Sequence, residues 1–227
     1  MVNKNLKPKA IIFDWDNTII NTWPFIQRAI DDTMTEMGKE PWGLEKVKNS
    51  VFLSMRESFP VIFGENWEKA GEIYKKNYLK QNIDDLRILD GALELINTAY
   101  DNDVTLFIIS NKMGPTLRKE VKNLGLEDKF FSIIGAHDAE LDKPSNKPVK
   151  LALEDSEINP NKDLIWFIGD SHVDVECAIN SNCQPIFFNE ENNLPEALIK
   201  KAKEQKAKSI LYFDNHFDIT DHLKSCL

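Results

Sequence analysis

Apolar residues follow two different spacings along this chain, and the change between them divides it. Ala10, Ile11, Ile12 and Phe13 run without interruption into Asp14, and Asp16 follows two residues on. A short, partly β-branched run between Pro8 and an acid predicts a strand buried on both faces, as in the middle of a parallel sheet. Over 21–38 the spacing becomes helical: Phe25, Ile26, Ala29, Ile30, Met34 and Met37 share a face with Thr33, and Gly38 closes the helix. Residues 44–50, 54–63 and 66–81 also read as helices, with breaks at Pro41, Gly43 and Gly64 and with Pro60 expected to end or kink the third. A crossover between parallel strands needs only about a dozen residues. A helical insertion over 21–87 is therefore predicted, its tryptophans and phenylalanines mostly filling its own core.

From Asp90 onward, strand and helix alternate. Helices are predicted over 91–100, 115–124, 147–155, 173–180, 194–206 and 217–224, and strands over 104–109, 131–134, 164–168, 185–188 and 210–213. That alternation predicts an α/β fold with a doubly wound, parallel, Rossmann-like sheet and right-handed crossovers. Its core comprises 1–20 and 88–227.

Composition narrows the class. The 227 residues carry a formal net charge of −9, which argues against a nucleic-acid surface. Three cysteines without C-x-x-C spacing suggest neither a disulfide framework nor a zinc site, and a cytoplasmic setting is expected. No stretch is long and apolar enough for a membrane span, and no P-loop motif occurs.

Polar residues follow three of the predicted strands. Asp14 and Asp16 follow the first, Ser110 and Asn111 the second, and Asp170 the fourth, with Asp174 four residues further on. Parallel strands would bring these ends to one edge of the sheet. Alone, an Asp-x-Asp pair there reads as a hard-metal site, an acid/base pair or a solvated turn. With Asp170, Asp174 and Lys143 alongside, an all-oxygen site for Mg²⁺ is predicted, the lysine offsetting part of the charge.

The series D-x-D-x-T from Asp14, S-N at Ser110, K-P at Lys143 and G-D-x-x-x-D from Gly169 resembles the haloacid dehalogenase superfamily. The insertion between the first two motifs resembles that family's cap. The resemblance implies Mg²⁺-dependent hydrolysis of a small phosphate monoester through an aspartyl-phosphate. Asp14 would be the nucleophile and Asp16 the acid and base. Asp14, Asp170 and the main-chain carbonyl of Asp16 would hold the metal, with Asp174 orienting its water or Lys143. Ser110 and the backbones of Asn111 and Asn17 would bind phosphoryl oxygens, and Lys143 would neutralise charge. Lys147 is a rival for that lysine role, and Thr18 is expected to brace the turn. Asp16 favours phosphate over halide as the group removed. Ser110-Asn111-Lys112 resembles the T-N-K of phosphoglycolate phosphatases. A β-phosphoglucomutase-like transferase and a non-catalytic binding protein on the same scaffold are the alternatives. Arg56 either clamps a substrate carboxylate or pairs with Glu57 or another acid of the insertion.

Overall fold

The computed structural model describes residues 7–189, 194–204 and 209–227. The first strand, β1 (Ala10–Phe13), is buried along its whole length. Two extended residues follow as β2 (Ile20–Asn21), and then helices α1 (Trp23–Glu36), α2 (Gly43–Lys48), α3 (Met55–Phe63) and α4 (Trp67–Leu79). The chain returns through β3 (Arg87–Ile88), which pairs antiparallel with β2. This two-residue ribbon ties together both crossings into the helical insertion, and it is too short for an alternating pattern to announce. Pro60 lies inside α3 rather than ending it. One missing N–H costs a single bond, and burial of Phe59 and Phe63 on either side holds the last turn until Gly64 breaks it at φ +58°.

The remainder alternates as predicted: α5 (Ala92–Asp101), β4 (Thr105–Met113), α6 (Gly114–Asn123), β5 (Ser132–Ala136), α7 (Lys147–Leu153), β6 (Ile165–Gly169), α8 (His172–Asn180), β7 (Gln184–Phe188), α9 (Glu196–Glu204), β8 (Leu211–Phe213) and α10 (His216–Lys224). The expected extension of α9 to Lys206 lies outside the described residues. β4 runs four residues past its predicted end because Met113 regains a partner in Ala136 after an irregularity in the ladder.

The sheet is six-stranded, ordered β5-β4-β1-β6-β7-β8 with every pair parallel. Alternate side chains supply its two faces. Ile11, Phe13, Leu106, Ile108, Trp166 and Ile168 pack toward α5, α6 and α10. Ala10, Ile12, Phe107, Ile109, Ile165 and Phe167 pack toward α7 and α8. Strands are added outward on both sides of β1, so the strand order reverses there. At such a point the carboxyl ends of the strands leave a crevice. No helix among the described residues is long and apolar enough to cross a membrane. The three cysteines are buried and none is in a disulfide.

Candidate active site

Asp14 leaves β1 in the crevice between β4 and β6, where it is 5% exposed. Lys143, 3% exposed, comes from the loop ahead of α7 and donates to Asp14 Oδ1 and to Asp174 Oδ1, each at 2.6 Å. Lys147 is instead at the surface, paired with Glu140. Carboxylate oxygens of Asp14, Asp170 and Asp174 lie within 4.8 Å of one another. Burial lifts the Asp14 carboxyl to about 7; Lys143 opposes the rise, and Asp174 and Asp16 add to it. Asp170 is raised by burial and then by the charges of Asp14 and Asp174. Burial works against the Lys143 ammonium too, but Asp14 and Asp174 more than reverse it and hold it charged.

Three carboxylates around one lysine leave two negative charges uncompensated. An all-oxygen donor set with that surplus fits a hard divalent cation such as Mg²⁺. The Asp16 carboxylate is not one of this trio. It turns to Lys112 Nζ, 2.6 Å away, so any part Asp16 has in binding a metal falls to its main-chain carbonyl.

Local structure accounts for several residue types. A Cβ on Gly169 would lie 2.3 Å from Cβ of Asp174, so only glycine lets α8 bring that acid against β6. Asp174 Oδ2 also accepts from the amide and hydroxyl of Ser171, capping α8. Asn17 adopts φ +58°, which asparagine tolerates better than most residues. Its Oδ1 accepts from the amides of Thr22 and Trp23, capping α1. Thr18 is fully buried, with Oγ1 3.5 Å from Asp170 Oδ1.

Two expectations are corrected. The Asn17 amide donates to the carbonyl of Ile20 at 2.7 Å and so is already spent on the turn, not held ready for a phosphoryl oxygen. Arg56 does not pair with an acid of the insertion, and it does not line the cavity that Asp14 and Asp16 share. It forks onto Asp142, Nε at 2.6 Å from Oδ2 and Nη2 at 2.6 Å from Oδ1, beside Lys143 in the core. Arg56→Ala is therefore expected to destabilise the protein by about 1.5–3 kcal/mol and to lower kcat/KM by the same factor for phosphate esters of charged and of uncharged alcohols. Denaturant unfolding and a two-substrate comparison check both parts.

Ser110, Asn111, Asp16 and Asp170 line one cavity of about 130 Å³ with Asp14 and Lys143. The Asn111 side chain accepts from the Lys143 amide and donates to the carbonyls of Lys143 and Phe52, so it grips the lysine loop and the insertion together.

A second buried cluster escapes the motifs. Lys112 Nζ donates to Asp16 at 2.6 Å, Tyr78 Oη at 2.7 Å and Glu120 at 2.8 Å. Glu120, 1% exposed, also accepts from Tyr78 Oη and Trp15 Nε1. Burial works against the Lys112 charge, but Asp16, Tyr78 and Glu120 hold it protonated. The signal for this cluster was an acid at Glu120 on the apolar face formed by Leu117 and Val121. Tyr78 belongs to α4, so the cluster fastens the insertion to the acid Asp16. Tyr78→Phe should cost about 1 kcal/mol, seen as a melting point lower by about 2–4 °C, with kcat reduced several-fold.

Comparison with known proteins points the same way. A family profile described as haloacid dehalogenase-like hydrolase matches residues 11–188. The pyrophosphatase PpaX of Listeria innocua is 31% identical over 177 residues, which span 77% of this chain and 80% of that protein. The phosphoglycolate phosphatase of Aquifex aeolicus is 26% identical over 171 residues, 75% of this chain and 79% of its own. A solved HAD-superfamily hydrolase from Ehrlichia chaffeensis is 33% identical, covers 97% of this chain and 98% of its own, and superposes with a TM-score of 0.66.

Proposed function

The chain belongs to the haloacid dehalogenase-like hydrolase family, and from that premise we propose that it hydrolyses a small phosphate monoester through an aspartyl-phosphate on Asp14. The observation that carries this reading is the pairing of Asp14 with Lys143 inside a carboxylate trio, with a second acid, Asp16, lining the same cavity.

Asp14, Asp170 and the Asp16 carbonyl would hold Mg²⁺, with Asp174 behind them. When bound, the cation supplies positive charge to the phosphoryl oxygens and keeps Asp14 ionised despite its burial. In the first step an Asp14 oxygen attacks phosphorus, the bond to the ester oxygen breaks, and Asp16 gives that oxygen its proton. In the second, Asp16 takes a proton from a water that attacks the same phosphorus. The Asp14–phosphorus bond then breaks, releasing phosphate and restoring the carboxylate. Lys143 and the Ser110 hydroxyl stabilise charge on the phosphoryl oxygens, the main requirement of such a transfer. The helical insertion acts as a cap that closes the cavity over the ester, an arrangement of the phosphoglycolate-phosphatase kind.

p-Nitrophenyl phosphate tests the reading. Turnover should be lost in EDTA and restored by Mg²⁺. Hydrolysis that persists at full rate in EDTA would count against a cation among these carboxylates.

A further inference from the structure

The walls of the cavity bear on which ester is cleaved. Resting on the phosphatase reading above, we infer that the alcohol released is compact, uncharged and largely apolar, and is neither a carboxylate such as glycolate nor a second phosphoryl group.

The leaving oxygen must face Asp16, which lines the 130 Å³ cavity. A larger groove of about 940 Å³ opens past Asn17 and Asp170, but neither Asp14 nor Asp16 lines it. The alcohol therefore sits in the smaller chamber. Its far wall is built by the insertion, from Trp23, Ile30, Met55, Phe59, Tyr74 and Tyr78. Burial pushes both tyrosine hydroxyls up, so they stay neutral.

Among the described residues, every cation lining this chamber is already paired. Lys143 lies between Asp14 and Asp174. Lys112 lies between Asp16 and Glu120. Lys75 is one-third exposed at the rim and bonded to Glu72. Arg56, the guanidinium that might have answered a carboxylate, is held by Asp142. An anionic leaving group would have to draw an ammonium away from the carboxylate that already holds it, which is unfavourable for the buried Lys112 and Lys143. An apolar one would gain from leaving water.

The test is kcat/KM with Mg²⁺ for benzyl phosphate, 2-phosphoglycolate and pyrophosphate. Benzyl alcohol and glycolate have hydroxyls of similar acidity, so intrinsic reactivity does not decide between the first two. Benzyl phosphate is expected to lead both others by at least about tenfold. Equal values, or a lead for either anionic substrate, would overturn the inference and leave the phosphatase reading intact. No turnover of any ester above that of Asp14→Asn would overturn both. Leu79→Arg supplies the missing cation at a chamber position that is 54% exposed, where folding should not suffer. It should raise kcat/KM for 2-phosphoglycolate at least about fivefold relative to benzyl phosphate. An unchanged ratio would count against this chamber as the seat of the alcohol.

Discussion

Asp14→Asn is expected to lower kcat by at least about 10⁴-fold, the scale on which losing a nucleophile is felt, while the fold survives. Asparagine keeps the shape of the side chain but cannot attack phosphorus. It also removes a carboxyl that the folded state strains to ionise, because burial has raised Asp14 to about 7 against an ordinary value of 3.8. In the metal-free protein the folded state keeps its proton through that interval and the unfolded chain does not. Stability from this group therefore falls as pH rises from about 4 to 7 and is level above, by linkage. Melting points in EDTA should show the asparagine variant drawing ahead of wild type across that window and holding a constant lead at higher pH. A lead that shrinks with rising pH would contradict the burial argument.

Lys143→Met should do damage of two kinds. The ammonium is the shared partner of two buried carboxylates, at 2.6 Å from each. Removing one member of a buried ionic cluster typically costs about 3–5 kcal/mol, because the partners keep their desolvation and lose their attraction. For a chain of this size that corresponds to a fall of roughly 10 °C in melting temperature. The loss should be largest at alkaline pH and smaller in mild acid, where Asp14 can take up a proton instead. Activity should fall by about 10²–10³-fold, the usual effect of deleting one group that stabilises a developing charge. A variant that melts like wild type at pH 8 would mean that the trio does not depend on this lysine.

These expectations trace to residues that could be read in order along the chain. Uninterrupted apolar runs ending in acids, Ser-Asn or Gly-Asp marked the strands that β1, β4 and β6 became, because a strand buried on both faces has no room for polar residues until it reaches the sheet edge. The helical spacing after β1 marked the insertion for the same kind of reason. Pairings between distant side chains were not legible. Arg56 meets Asp142 across 86 residues, and Tyr78 meets Glu120 across 42. No local period encodes a partner that lies on another element. The Asn17 amide was misjudged because its bond to Ile20 depends on how tightly the turn closes. The two-residue ribbon of β2 and β3 has too few positions to alternate.

Acid-quenched turnover with Mg²⁺ and saturating benzyl phosphate, followed by peptide mapping, tests the central claim most directly. A single phosphoryl group is expected on the peptide containing Asp14, absent from Asp14→Asn and cleared when substrate is exhausted. A phosphoryl group on any other residue, or steady turnover with none trapped on Asp14, would contradict the account.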